Sequence, residues 1–141
     1  MSGFDPAAHG WRVLPGAALP GGLGMPWALK VGEQWRYGLL TEPGHVNPSG
    51  AVHGGVLMAF ADHGLSFLAW EAAARAPCAT IQMNSQFLDG VVPGEFVELR
   101  GEVVRRTNSL VFVRGLLVAL GDAADREVVA VDGIWRILRR Q

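Results

Sequence analysis

One cysteine, Cys78, and one lysine, Lys30, are all that the 141 positions of this chain hold of either residue. A lone cysteine excludes an intramolecular disulfide and gives no sign of an oxidising compartment, so the cytoplasm is the expected setting. Charge is sparse as well. With 18% of residues charged and a formal net charge of −1, the overall electrostatic case for a nucleic-acid partner falls away. The most apolar stretch, from about His53, is broken by Asp62, His63 and Gly64, and the N-terminus lacks the basic start and apolar core of a secretory signal. Neither a membrane span nor an export signal is therefore expected. The four histidines, His9, His45, His53 and His63, do not pair at helical ligand spacing, so no metal is expected.

Half of the residues are hydrophobic, and 19 glycines and 8 prolines punctuate them, which reads as a compact, turn-rich domain rather than a disordered chain. The length suits one domain. Residues 1–25 carry Gly and Pro repeatedly around a single large anchor, Trp11, and are expected to form an arm, with the domain proper over 26–141. So much apolar surface on a small chain also points to an oligomer. Apart from Lys30 every basic residue is arginine, and from Arg100 onward eight arginines stand against five acids. Arginine suits forked contacts with phosphate.

Two β-favouring segments, 27–31 and 34–41, flank Gly32-Glu33 and predict a hairpin. From Val52 to about Ala74 the composition favours helix, and Pro77 cannot continue it. Apolar residues occupy nearly every face of that helix, so it is expected to be buried all round. Four long β-runs follow, at 80–88, 95–106, 109–120 and 127–138, with short polar or Gly/Pro-bearing connections that predict an antiparallel meander. The pattern implies an α+β fold in which a curved antiparallel sheet wraps a long central helix. Arg114 and Asp132, mid-strand among apolar neighbours, are expected to form a cross-strand ion pair. His63 is expected to be a satisfied buried or interface histidine, Cys78 a small buried residue, and Trp27, Trp35, Trp70, Phe60, Phe67 and Phe87 parts of the core.

Chemistry concentrates in the stretch NPSGAVHGGVLMAFAD, from Asn47 to Asp62. Gly54 and Gly55 leave the first N–H groups of the helix bare, and such groups attract oxyanions. Asp62 is a carboxylate in an otherwise apolar helix, costly to bury unless paired or used. An oxyanion site and a base are what acyl transfer to water requires. Gly54 and Asp62 lie eight residues apart, however, which is about 12 Å along a helix rising 1.5 Å per residue. For both to act on one carbon, Asp62 must come from a second copy of the helix running antiparallel beside the first, as in a two-fold homodimer with two equivalent sites.

Asn47, Gly50, the His53-Gly54-Gly55 triplet, Asp62 nine residues after the histidine, and the run TIQMNSQFL from Thr80 to Leu88 together resemble the hotdog-fold acyl-CoA thioesterases. Within them the chain is similar to the phenylacetic-acid-degradation type that carries an HGG motif. The resemblance spans roughly residues 27–138. It implies that the Gly54 N–H stabilises the oxyanion of an attacked thioester and that the partner's Asp62 activates water or attacks directly. It further implies that Asn47 orients thioester or water, that His53 shapes the same pocket, and that Thr80 holds water near the carboxylate. Gly55 would contact substrate, Ser66 would hydrogen-bond Asp62 or the substrate, and Arg105 and Arg106 would meet the nucleotide end of coenzyme A. No cofactor is implied beyond the coenzyme A of the substrate, and the expected assembly is a homodimer or a dimer of dimers. Two other readings stand beside hydrolysis of an acyl- or arylacyl-CoA: an acyl-thioester hydratase or dehydratase of the same fold, and a non-catalytic acyl-thioester sensor.

Overall fold

The computed structural model describes residues 3–139, so the first two residues of the expected arm, and Arg140, lie outside the described residues. Seven strands form one antiparallel sheet: β1 (Arg12–Val13), β2 (Trp27–Val31), β3 (Gln34–Leu40), β4 (Cys78–Phe87), β5 (Phe96–Arg106), β6 (Leu110–Leu120) and β7 (Arg126–Ile137). Among the described residues a single α-helix, α1 (Gly54–Ala72), lies against β4 to β7. This is the hotdog arrangement of a curved sheet around one long helix. The β2–β3 hairpin turns at Gly32-Glu33, where Gly32 takes φ +61°. No helix among the described residues is long and apolar enough to cross a membrane.

Strand order corrects one expectation. The sheet reads β1-β2-β3-β5-β6-β7-β4, so only β5, β6 and β7 form a meander, while β4 lies at the far edge beside β7. Three strand spacings separate β4 from β5, about 14 Å, and eight connecting residues span that distance with ease. Short connection length alone does not force neighbouring strands to pair. The helix decides the matter: the chain leaves α1 beside the open edge, and β4 pairs there before crossing back.

Alternation along the strands sorts the core into two faces. Toward the helix, Leu39, Val97, Leu99, Val111, Val113, Leu117 and Trp135 pack against Phe60, Ala61 and Leu65. On the outer face, Phe96, Val118 and Leu120 form a second cluster with Trp11, whose ring meets Phe96 edge-on at 4.9 Å. Residues 4–25 serve both faces: Phe4 and Trp11 cover the outer cluster, while Leu14, Leu19 and Leu23 join the helix side. His63 ties that segment to α1 through Nε2 and the Ala17 carbonyl oxygen, 2.9 Å apart.

Several expected core positions are not core. In the single chain Trp35, Trp70 and Phe87 are 44%, 36% and 51% exposed, whereas Phe60 is fully buried. The helix likewise is not buried all round, because Met58, Asp62 and Ser66 form a half-buried stripe facing the open edge. Arg114 does sit opposite Asp132 in register, but its ion pair goes to Glu102 on β5, Nε to Oε1 at 2.7 Å. An arginine on a central strand has two neighbours to choose from. Cys78 is half-buried, and burial pushes its thiol up, against a smaller opposing pull from the Arg106 guanidinium.

Candidate active site

The start of α1 decides which backbone donors remain free. His53 is its N-cap, with an extended backbone, and its Nδ1 accepts the Gly55 N–H at 2.8 Å. A ring nitrogen that accepts carries no proton, which leaves the proton of the neutral imidazole on Nε2. Val56 and Leu57 both donate to the His53 carbonyl. Gly54 alone in this first turn donates to nothing among the described residues. The two glycines therefore differ: the Gly55 N–H is consumed by the cap, and the Gly54 N–H points to the open end of the helix, where the dipole favours negative charge.

A cleft of about 410 Å³ opens at that donor, walled by Asn47, Val52, Leu57, Phe87 and Val91. Asn47 builds the preceding turn: its Oδ1 accepts from Ser49 N, Ser49 Oγ and Ala51 N at 3.0, 2.7 and 3.2 Å. With the carbonyl so occupied, only the amide NH2 of Asn47 is left to donate toward the cleft. The Phe87 ring lies over Gly54, and a methyl group added there would stand 3.1 to 3.2 Å from it.

Asp62 belongs to a different place. Its Oδ1 accepts from Thr80 Oγ1 at 2.6 Å, and no cation pairs with it among the described residues. Ser66, one turn further along α1, accepts the indole N–H of the fully buried Trp135 at 2.8 Å. Thr80 and Trp135 are register partners on β4 and β7. Asp62, Thr80, Trp135 and Ser66 thus close a ring that fastens the middle of the helix to the sheet. Arg106 shares this cross-sheet row through Val111, three strands from Thr80 or about 14 Å. Arg105 lies beside it, next to a bulge, and both are exposed.

The expected site residues consequently fall into two groups. Gly54 and Asn47 line the cleft with Gly55 and His53 beside them at the start of α1, and Asp62, Thr80 and Ser66 gather about 12 Å further along the helix, with Arg105 and Arg106 beyond them. Two features escaped the sequence. The sequence alone places Phe87 in the core, although it shares the inner face of β4 with Met83 and Ser85 at a spacing of two. Arg126 stands in the sequence only as one of eight arginines from Arg100 onward, yet it holds the β4–β5 crossover that walls the cleft, reaching Asp89 Oδ2 at 2.7 Å, the Gly90 carbonyl at 2.7 Å and Glu95 Oε2 at 3.0 Å.

Residues 49–124, more than half of the chain, match the sequence model of the Thioesterase superfamily. The chain belongs to that superfamily. It is a thioester hydrolase of the hotdog fold, and solved structures share its architecture. A hexameric broad specificity acyl-coenzyme A thioesterase is 18% identical, with 73% of this chain and 78% of that one covered at a TM-score of 0.68. Zebra fish thioesterase superfamily member 2 is also 18% identical, covering 96% and 87% at 0.68. A phenylacetic acid degradation-related protein from Ralstonia eutropha JMP134 is 22% identical, covering 79% and 84% at 0.68. A comparison with curated proteins gives no match.

Proposed function

We propose that this thioesterase acts on acyl-CoA or arylacyl-CoA, releasing the free acid and coenzyme A, and that each active site is shared by two copies of the chain. The observation that carries the reading is the separation of the free Gly54 N–H from the Asp62–Thr80 pair by about half of one helix. Phe87, over Gly54, and Thr80, on Asp62, sit near opposite ends of β4. That strand is a ten-residue open edge on which Ile81 and Phe87 are 54% and 51% exposed, a ready template for pairing. Antiparallel pairing of β4 with its own copy, centred near Met83 and Asn84, sets Thr80 of each chain against Phe87 of the other. Asp62 of one chain then faces Gly54 of its partner. Part-exposed Phe112, Leu116 and Ile134 on the outer face leave room for such dimers to associate into a dimer of dimers.

In this reading the Gly54 N–H receives the carbonyl oxygen and stabilises the oxyanion as water adds to the carbon. Asp62, held through one oxygen by Thr80, keeps its other oxygen for the proton of that water, or attacks the carbon itself. His53 acts through its cap and Asn47 through its amide donor. Ser66 keeps its own proton to donate toward substrate, and Arg105 and Arg106 meet the phosphates of coenzyme A beside the Asp62 end. No cofactor enters the scheme. Residues 26–141 work as one domain with 1–25 as its arm, and the single cysteine supports a cytoplasmic setting. The test is thiol release from a panel of acyl-CoAs by wild type and Asp62→Asn. A loss of about 10²- to 10⁴-fold in kcat is expected; near wild-type turnover by the variant on a good substrate sinks the mechanism. Loss of enoyl absorbance without thiol release would favour the hydratase reading, and tight binding without turnover the sensor.

A further inference from the structure

We propose that Phe87 is the specificity-determining residue of this enzyme, the movable wall of an acyl-binding cleft that admits uncharged acyl groups and limits their size. The inference rests on the thioesterase reading above, since it takes the Gly54 N–H as the point where the thioester carbonyl is held.

The remaining apolar walls of the cleft are fixed. Val52, Leu57 and Val91 are 5%, 3% and 1% exposed and are continuous with the main core, so none can move without disturbing it. Val91 is further pinned where its carbonyl accepts the Val52 N–H at 2.7 Å. Phe87 differs from them. Its backbone is locked by pairing with Val129, yet its side chain, half exposed in the single chain, leans on Gly54, where there is no side chain to hold it. A carbonyl held at the Gly54 N–H has its substituents within reach of that ring, and the cleft behind it, apolar at Val52, Leu57 and Val91 and polar at Asn47 and Asp89, is of a size suited to a small ligand group.

Charge sets the second limit. The one carboxylate at the rim, Asp89, is already engaged by Arg126 and by the Gly90 N–H. Arg126 in turn divides itself between Asp89, Glu95 and the Gly90 carbonyl, leaving no free cation among the described residues of the cleft to receive a second carboxylate. An acyl group ending in a carboxylate would bring its charge beside Val52, Leu57 and Val91 with no cation among the described residues to pair it and with the Asp89 carboxylate at the rim. Neutral aliphatic or aryl acyl groups meet no such penalty.

The test compares kcat/KM of wild type, Phe87→Ala and Phe87→Trp on acetyl-, hexanoyl-, decanoyl-, phenylacetyl- and glutaryl-CoA, with thermal melting to follow folding. Phe87→Ala is expected to raise the decanoyl-to-hexanoyl ratio of kcat/KM at least tenfold, and Phe87→Trp to lower it. Glutaryl-CoA is expected to be turned over at least a hundredfold less efficiently than hexanoyl-CoA by the wild type. Turnover with an unchanged acyl profile in both folded variants overturns this inference alone, as does efficient use of glutaryl-CoA. Silence of the wild type on the whole panel overturns the acyl-CoA reading, and this one with it.

Discussion

Thr80 Oγ1 donates to Asp62 Oδ1 at 2.6 Å, and that bond leaves the carboxylate with one oxygen tethered and one free. The hydroxyl comes from the edge strand and the carboxylate from the helix, so the bond fixes the direction in which the free oxygen faces. Thr80→Val preserves the branched shape and removes the donor. Its kcat is expected to fall about tenfold, equivalent to roughly 1.4 kcal/mol of transition-state stabilisation, with KM little changed. Thr80→Ser should recover most of the rate. Steady-state kinetics on the best acyl-CoA of the panel decides it: equal rates for the valine and serine variants would deny the hydroxyl any part.

Ser66 and Trp135 hold the same helix a turn further on, and here the expected effect is on stability. Trp135 is fully buried, so Ser66→Ala strands an indole N–H without its acceptor, at a cost of about 1 to 3 kcal/mol. Trp135→Phe removes the donor instead and opens a small cavity. The two losses share one bond, so the double variant should be less destabilised than the sum of the singles, by about 1 kcal/mol. Urea unfolding of the four proteins measures the coupling. Strict additivity would mean that the bond contributes nothing.

Much of this was legible in the residues. The helix, the β2–β3 hairpin and the long strands follow from local chemistry: Pro77 ends one, Gly32-Glu33 turns another, and alternation marks the rest. Strand order was not legible at β4, because which edge a strand joins depends on where the helix delivers the chain, and no local signal carries that. At the candidate site, spacing alone separated Gly54 from Asp62, since helix rise is fixed. The partner of Arg114 was missed because two acids flank it on neighbouring strands, Asp132 in register on one side and Glu102 on the other. The position of Phe87 was missed for a related reason, namely that an aromatic on a strand reads as core unless the strand is known to lie at an open edge.

Arg126 is a positioning residue for the cleft wall. Its guanidinium takes two ion pairs and a backbone carbonyl from the crossover between β4 and β5, and the bonds to Glu95 and Asp89 hold it above the usual arginine range, with burial opposing. Arg126→Gln should loosen residues 89–95. Because the arginine is 41% exposed, solvent screening limits the loss to about 1 kcal/mol, a few degrees in melting temperature. The kinetic expectation is sharper: KM rises several-fold while kcat holds, since neither Gly54 nor Asp62 is touched. A fall in melting temperature with KM unmoved would reduce Arg126 to a structural clamp.

The shared site permits a test that no single-chain mechanism passes. Gly54 is the first residue of α1, a position that tolerates proline, and His53 before it already has the extended backbone, φ −61° and ψ 133°, that a following proline demands. Gly54→Pro therefore deletes the free N–H and keeps the helix, and its Cβ would stand 3.1 to 3.2 Å from the Phe87 ring, which is half exposed in the single chain and can yield. Alone, this variant is expected to lose about 10²- to 10³-fold in kcat, and Asp62→Asn to be comparably inactive. In a heterodimer of the two, one site pairs the intact Gly54 of the Asp62→Asn chain with the intact Asp62 of the Gly54→Pro chain, while the other site carries both defects. Random mixing makes half of the dimers mixed, each with one working site of two, so the mixture should regain about a quarter of wild-type activity. Co-expression under two affinity tags, followed by isolation of the doubly tagged dimer, should raise that to about half. If the mixed dimer stays as inactive as its parents while remaining dimeric and folded, Gly54 and Asp62 do not serve one carbon from opposite chains.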